Sequence, residues 1–77
     1  MGQKKGFAKV RIKESVIQKM PLYFNAHTLA VAISVSDDAV QDWINKHGLQ
    51  AYRQDTGERL IDKFELLEWL RETGRLK

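Results

Sequence analysis

The sequence predicts a small α+β fold over residues 22–74: two helices joined by a tight turn, then a β-hairpin, then a third helix. Three observations predict it. Helix-capping residues stand at Asn25, Ser36 and Asp62, each followed by an apolar stripe of helical period. Only Ser34, Val35 and Ser36 separate the first two stripes. Between the second and third stripes, Gln54-Asp55-Thr56-Gly57 supplies turn chemistry between two short runs of strand character.

Each element follows from its residues. Asn25 can accept a bond from an orphaned amide at the start of a helix whose stripe is Ala26, Leu29, Ala30 and Ile33. Phe24 is placed to pack on Leu29 as a hydrophobic staple. Ser36 caps the second helix, Val35 staples onto Val40, and Val40, Trp43 and Ile44 face inward. Gly48 ends that helix, because glycine tolerates the left-handed conformation that closes one. A three-residue connection forces a sharp turn between the two helices. Leu49–Arg53 reads as a strand, and Glu58–Ile61 as its return. Asp62 caps the third helix, Glu65 completes an Asp-led capping box, and Ile61 staples onto Leu66. Phe64, Leu66, Leu67, Trp69 and Leu70 supply its apolar face, and Gly74 stops it. This order is that of a winged helix-turn-helix, with the hairpin as the wing.

Pro21 divides a basic arm, residues 1–20, from the domain, residues 21–77. In the arm, six basic residues against Glu14 give +5; in the remainder, seven basic against nine acidic residues give −2. Ala8, Val10 and Ile12 alternate with Lys9, Arg11 and Lys13, as in a strand with one cationic face. Ile12, Val16 and Met20 fit a helical period equally well, so an extra N-terminal strand or helix stands open. The arm suits a polyanion, the alternative being a solubilising tail. If Lys4, Lys5, Lys9, Arg11 and Lys13 all met phosphates, log K would fall against log salt with a slope of up to about −4.5 from these residues.

Seventy-seven residues suffice for one small core. With no cysteine, disulfides and thiolate metal sites are excluded. The longest apolar stretch, Leu29–Val35, is far below the roughly 20 residues of a membrane span. No signal-peptide pattern opens the chain, so a soluble cytoplasmic protein is expected. His27 and His47 lie on different helices without ligand-spaced partners, and no Gly-rich phosphate loop occurs. No carboxylate sits on an apolar stripe, where desolvation would raise its pKa. Neither an enzyme, a cofactor nor a metal is expected.

The stretch Leu22–Leu70 resembles the excisionase and MerR-like winged-helix family. The similar features are the alanine-containing first helix, Val35-Ser36 at the turn, and Ala39-Val40 with Trp43-Ile44 in the second helix. Gly48-Leu49, Ala51-Tyr52-Arg53, Arg59-Leu60-Ile61 and Glu65–Leu70 continue the likeness. It covers about 50 of the 77 residues and does not reach residues 1–20. The family looks to include recombination directionality factors, phage regulators, transcription activators and DNA-packaging subunits. The resemblance implies sequence-specific binding of double-stranded DNA, with the second helix in the major groove and the wing on the backbone. It further implies an integrase or recombinase partner, or self-association on DNA, and no small-molecule substrate. The competing readings are a protein-interaction module and a packaging-recognition subunit.

The second helix presents Asp37, Asp38, Gln41, Asp42, Asn45 and Lys46 outward. Gln41 and Asn45, one turn apart, can each pair with an adenine edge, the alternative being a solvated face. The three aspartates depart from the family pattern, in which arginine or lysine is similar in place. Asp37 and Asp38 suit the positive end of the helix dipole, yet carboxylates facing phosphates repel a duplex. Arg53 and Arg59, with Gln54 and Thr56 beside them, look like backbone or minor-groove contacts of the wing. The alternative pairs the arginines with Asp55 and Glu58. Trp43 and Trp69 fall on apolar stripes and are expected in the core.

Overall fold

The structure, a computed structural model, describes residues 11–77. Its elements are α1 (Glu14–Gln18), β1 (Tyr23–Asn25), α2 (Ala26–Ile33), α3 (Asp37–Lys46), β2 (Tyr52–Arg53), β3 (Arg59–Asp62) and α4 (Lys63–Glu72). Among the described residues these are four helices and a three-stranded antiparallel sheet of order β1-β3-β2. The small α+β class expected from the sequence is what forms.

All three expected caps are made. Asn25 accepts from the Thr28 amide at 2.8 Å, and Ser36 from that of Ala39 at 3.1 Å. Asp62 accepts from Phe64 and Glu65 at 2.8 and 3.0 Å. Each bond satisfies an amide that the helix leaves without a carbonyl. Gly48 and Gly74 follow α3 and α4 with φ of +82° and +75°.

The end of α2 carries a residue that the sequence reading passed over. Ser34 adopts φ 60° and ψ 45°, the left-handed region. Around it, the Val35 amide bonds Ala30 and the Ser34 amide bonds Val31, at 3.0 and 3.3 Å. This is the Schellman arrangement, with serine in the place usually held by glycine. It reverses the chain abruptly and sets Ser36, the N-cap of α3, two residues later.

The first strand was not expected. Phe24 was read only as a staple; it is also the centre of β1, paired with Ile61, while Tyr23 pairs with Asp62 and Asn25 with Leu60. Conversely, the strand expected over Leu49–Arg53 shrinks to Tyr52–Arg53. The Leu49 amide is taken by Trp43 at 3.1 Å, and the Leu49 side chain is buried. It closes α3 and is lost to the sheet ladder.

Two expectations for α4 are corrected. Glu65 does not turn back to complete a capping box. Its carboxylate accepts the Tyr52 hydroxyl at 2.7–2.8 Å, while Asp62, whose amide it was to meet, lies in the β1–β3 pairing. Phe64 is exposed, not part of the apolar face. At roughly 100° per residue it falls on the stripe of Glu68 and Arg71, which face solvent. The Lys63 ammonium lies 5.4 Å from its ring centre.

One core joins every helix. Ile17 of α1, Phe24, Leu29, Val40, Ile61, Leu66 and Leu70 meet in it, together with the expected Trp43 and Trp69. The two indoles lie 5.3 Å apart at 45°, and Trp69 donates to the His47 carbonyl at 2.8 Å. That bond satisfies the polar edge of a buried ring and ties α4 to the end of α3. The Arg75 guanidinium covers both indoles, at 4.9 and 5.7 Å.

The core begins before Pro21. Ile12, Ile17 and Met20 are all buried in it. Ile12 forms a parallel bridge with Leu76, through bonds to Arg75 and Lys77 of 2.8 Å each. Of the two readings left open, Val16 lies beyond this bridge in a helical segment, and Ile12 itself is extended. Lys63 donates to the Gln18 and Met20 carbonyls at 3.2 Å, holding the end of α1 against α4. The alternation expected over Ala8 and Val10 lies outside the described residues.

Candidate nucleic-acid interface

The capped start of α3 sets Asp37, Gln41 and Asn45 on one stripe, one turn apart. The tip of the hairpin is closed tightly. The Gly57 amide bonds Gln54 at 2.9 Å, the Gln54 amide bonds Glu58 at 2.7 Å, and Gly57 takes φ +90°. A side chain at Gly57 would be strained there, although space around it is open. Arg53 and Arg59 then stand directly opposite each other across the strands.

A polar cleft lies between α2, α3 and the hairpin. His27, Asp37, Gln41, Arg53, Glu58 and Arg59 are among the residues that line it. Arg59 is tied to α3 by a bond from its Nη1 to Asn45 Oδ1 at 2.8 Å. Three residues singled out from the sequence, Gln41, Arg53 and Arg59, thus line one cleft, and a fourth, Asn45, is bonded to Arg59; they come from three elements, α3, β2 and β3.

The arginines are not consumed in neutralising the hairpin. Among the described residues neither makes an ion pair, and the Glu58 carboxylate is instead met by the Asn25 amide at 2.7 Å. Like charges directly opposite on a sheet are unfavourable, so this pair is held against a local electrostatic cost. Thr56 has a long 3.4 Å bond from the Glu58 amide, and Gln54 is exposed at the tip.

The acidic residues of α3 are partly answered within the protein. His27 Nδ1 lies 2.9 Å from Asp37 Oδ2. Lys46 Nζ lies 3.3 Å from Asp42, one turn before it, and His47 Nε2 3.7 Å from the same carboxylate. The Lys46 ammonium softens the repulsion expected of Asp42 toward a polyanion. The same pairing makes Lys46 a partner of Asp42 and reduces what it can offer a phosphate. From the sequence His27 was weighed only as a metal ligand and Glu58 only as a partner of the wing arginines, and neither was expected in these contacts. Their places depend on the α2–α3 turn and the sheet register, and no local pattern marks them.

Arg11 and Lys13 are exposed on either side of the anchored Ile12, and among the described residues no hydrogen bond joins them to the cleft. Lys4, Lys5 and Lys9 lie outside the described residues. Among the described residues no three metal-ligating side chains cluster, and no helix is long and apolar enough to cross a membrane. The site is polar and solvent-open, with the Arg53 and Arg59 guanidiniums, the Gln41 and Asn45 amides and the Asp37 and Glu58 carboxylates close together. No family model matches the chain, and no curated protein or solved structure matches it either.

Proposed function

We propose that the chain is a winged helix-turn-helix protein that binds duplex DNA as an accessory or regulatory factor, in the manner of an excisionase or a phage transcription regulator. In this reading α2 and α3 are the helix-turn-helix, α3 enters the major groove, and β2–β3 is the wing. The observation that carries it is the Arg59–Asn45 bond, which fixes the hairpin to the outward stripe of α3. Two arginines that make no ion pair among the described residues, beside two amides, match base edges flanked by phosphates. Arg53 and Arg59 contact the backbone, and Gln41 and Asn45 read bases. The basic residues ahead of Pro21 add charge.

One small domain buries limited surface, so a single copy binds weakly, and useful affinity comes from an array or an integrase partner. The test is a mobility-shift titration across salt. Wild type binds duplex at low salt, with log K falling linearly against log salt; Arg53→Ala with Arg59→Ala lowers the slope magnitude by about 2. Absence of binding at low salt, or binding indifferent to salt, rules the reading out.

A second reading, capture of a protein partner, is favoured by one observation. Tyr23 and Tyr52 are half exposed and line a shallow hollow with Leu60 on the outer face of the sheet. It predicts that partner capture depends on these tyrosines or on Asp37 and Asp38, and that the double arginine variant leaves it intact.

A further inference from the structure

We infer that Asn45 and Arg59 act as one donor-only unit, and that the base it selects in the major groove is guanine. The inference rests on the duplex-DNA reading above and corrects its most immediate form, in which Asn45 pairs with adenine. A free asparagine reads adenine because it offers one acceptor to the amino group and one donor to the ring nitrogen. Here the acceptor is already engaged: Arg59 Nη1 stands 2.8 Å from Asn45 Oδ1.

The assignment of that amide does not depend on a choice between its oxygen and nitrogen. A guanidinium only donates, so the atom facing it must be the oxygen. The amide NH₂ therefore turns outward. A second lone pair remains on the oxygen, but a full positive charge lies beside it. The hydrogens of an adenine amino group carry positive partial charge and would approach that cation. Guanine presents the opposite pattern, two acceptors at O6 and N7, and no donor on that part of its edge.

The neighbourhood reinforces this polarity. Arg53 stands across the strands from Arg59 and brings a second guanidinium to the same cleft. The two carboxylates that line the cleft meet other partners, Glu58 the Asn25 side-chain amide and Asp37 the His27 ring, and Asp42 is paired with Lys46. The Asn45 and Arg59 side chains share one bridge between α3 and β3, so the outward amide is held in place before any ligand arrives. Such preorganisation favours one acceptor pattern over others.

The experiment is selection from a pool of random duplexes at low salt, followed by titration of the enriched sequence. Wild type enriches guanine at a fixed position, and replacing that guanine by 7-deazaguanine weakens binding roughly tenfold. In Arg59→Met the Asn45 oxygen is released, and the preferred base at that position shifts from guanine to adenine. If Arg59→Met fails to fold, judged by circular dichroism, the 7-deazaguanine arm on wild type decides alone. Duplex binding with no base preference there means that the donors meet phosphate, and overturns the inference while sparing the function. So does a wild-type preference for adenine, or a guanine preference unchanged in Arg59→Met. Failure of wild type to retain any duplex overturns both.

Discussion

Tyr52 shows how one side chain can serve two parts of the fold. Its hydroxyl donates to both oxygens of Glu65, linking β2 to the first turn of α4. That bond holds the phenol proton, and the Glu65 charge opposes its loss, so the Tyr52 pKa lies above its ordinary value of 10.0. A group whose pKa rises on folding contributes stability that is present in full below its unfolded value. This contribution is lost as pH rises through the folded one. A urea midpoint measured from neutral pH to above pH 10 should therefore fall at the alkaline end in wild type. Tyr52→Phe should be less stable at neutral pH and lose this component of the alkaline fall. A profile identical in the two proteins would remove Tyr52 from the account. Ser34 is the second residue with a conformational burden. Its left-handed backbone costs an L-residue about 1 kcal/mol, which glycine does not incur. Ser34→Gly should raise the urea midpoint, and Ser34→Val should lower it by more.

At the scale of elements, the caps were legible because they are local. Asn25, Ser36 and Asp62 each reach an amide two or three residues away, and nothing distant needs to be known. Asp62→Ala removes two such bonds and should cost about 1 kcal/mol. In a domain of this size that is a fall in Tm of roughly 4–8 °C, readable by thermal circular dichroism. The strands were less legible. Tyr23-Phe24-Asn25 is too short for a periodic signal, and it becomes β1 only because Ile61 stands beside Phe24. Leu49–Arg53 carries strand-like residues, but closure of α3 claims Leu49 first. The capping box at Glu65 failed for a related reason: a partner 13 residues away offered a better bond than the cap could.

At the scale of the molecule, the division at Pro21 does not mark where the core starts. Ile17 is fully buried, although it lies in the segment set apart as a basic arm. Ile17→Ala should destabilise by about 2–5 kcal/mol, the range for a buried aliphatic residue, measured by urea unfolding. A cost below about 1 kcal/mol would mean that α1 packs only loosely. Lys63 supports the same joint by reaching the Gln18 and Met20 carbonyls. The C-terminal residues close it, because Ile12 and Leu76 pair across nearly the whole chain.

The candidate site divides along the same line. That α3 would turn Gln41 and Asn45 outward follows from helical period alone, since Val40 and Trp43 must face the core. That Arg53 and Arg59 would flank a turn follows from Asp55 and Gly57 between them. Period, capping and turn chemistry are short-range properties, and a sequence carries them without knowledge of the fold. The bond from Arg59 to Asn45, the pairing of Glu58 with Asn25 and the meeting of His27 with Asp37 join residues 10 to 33 positions apart. Such contacts exist only once the left-handed turn at Ser34 and the β1–β3 register have set the elements against one another. The sequence by itself determined which side chains of α3 face outward; the tertiary structure decided which of them share a hydrogen bond, and so which donors and acceptors remain for a ligand.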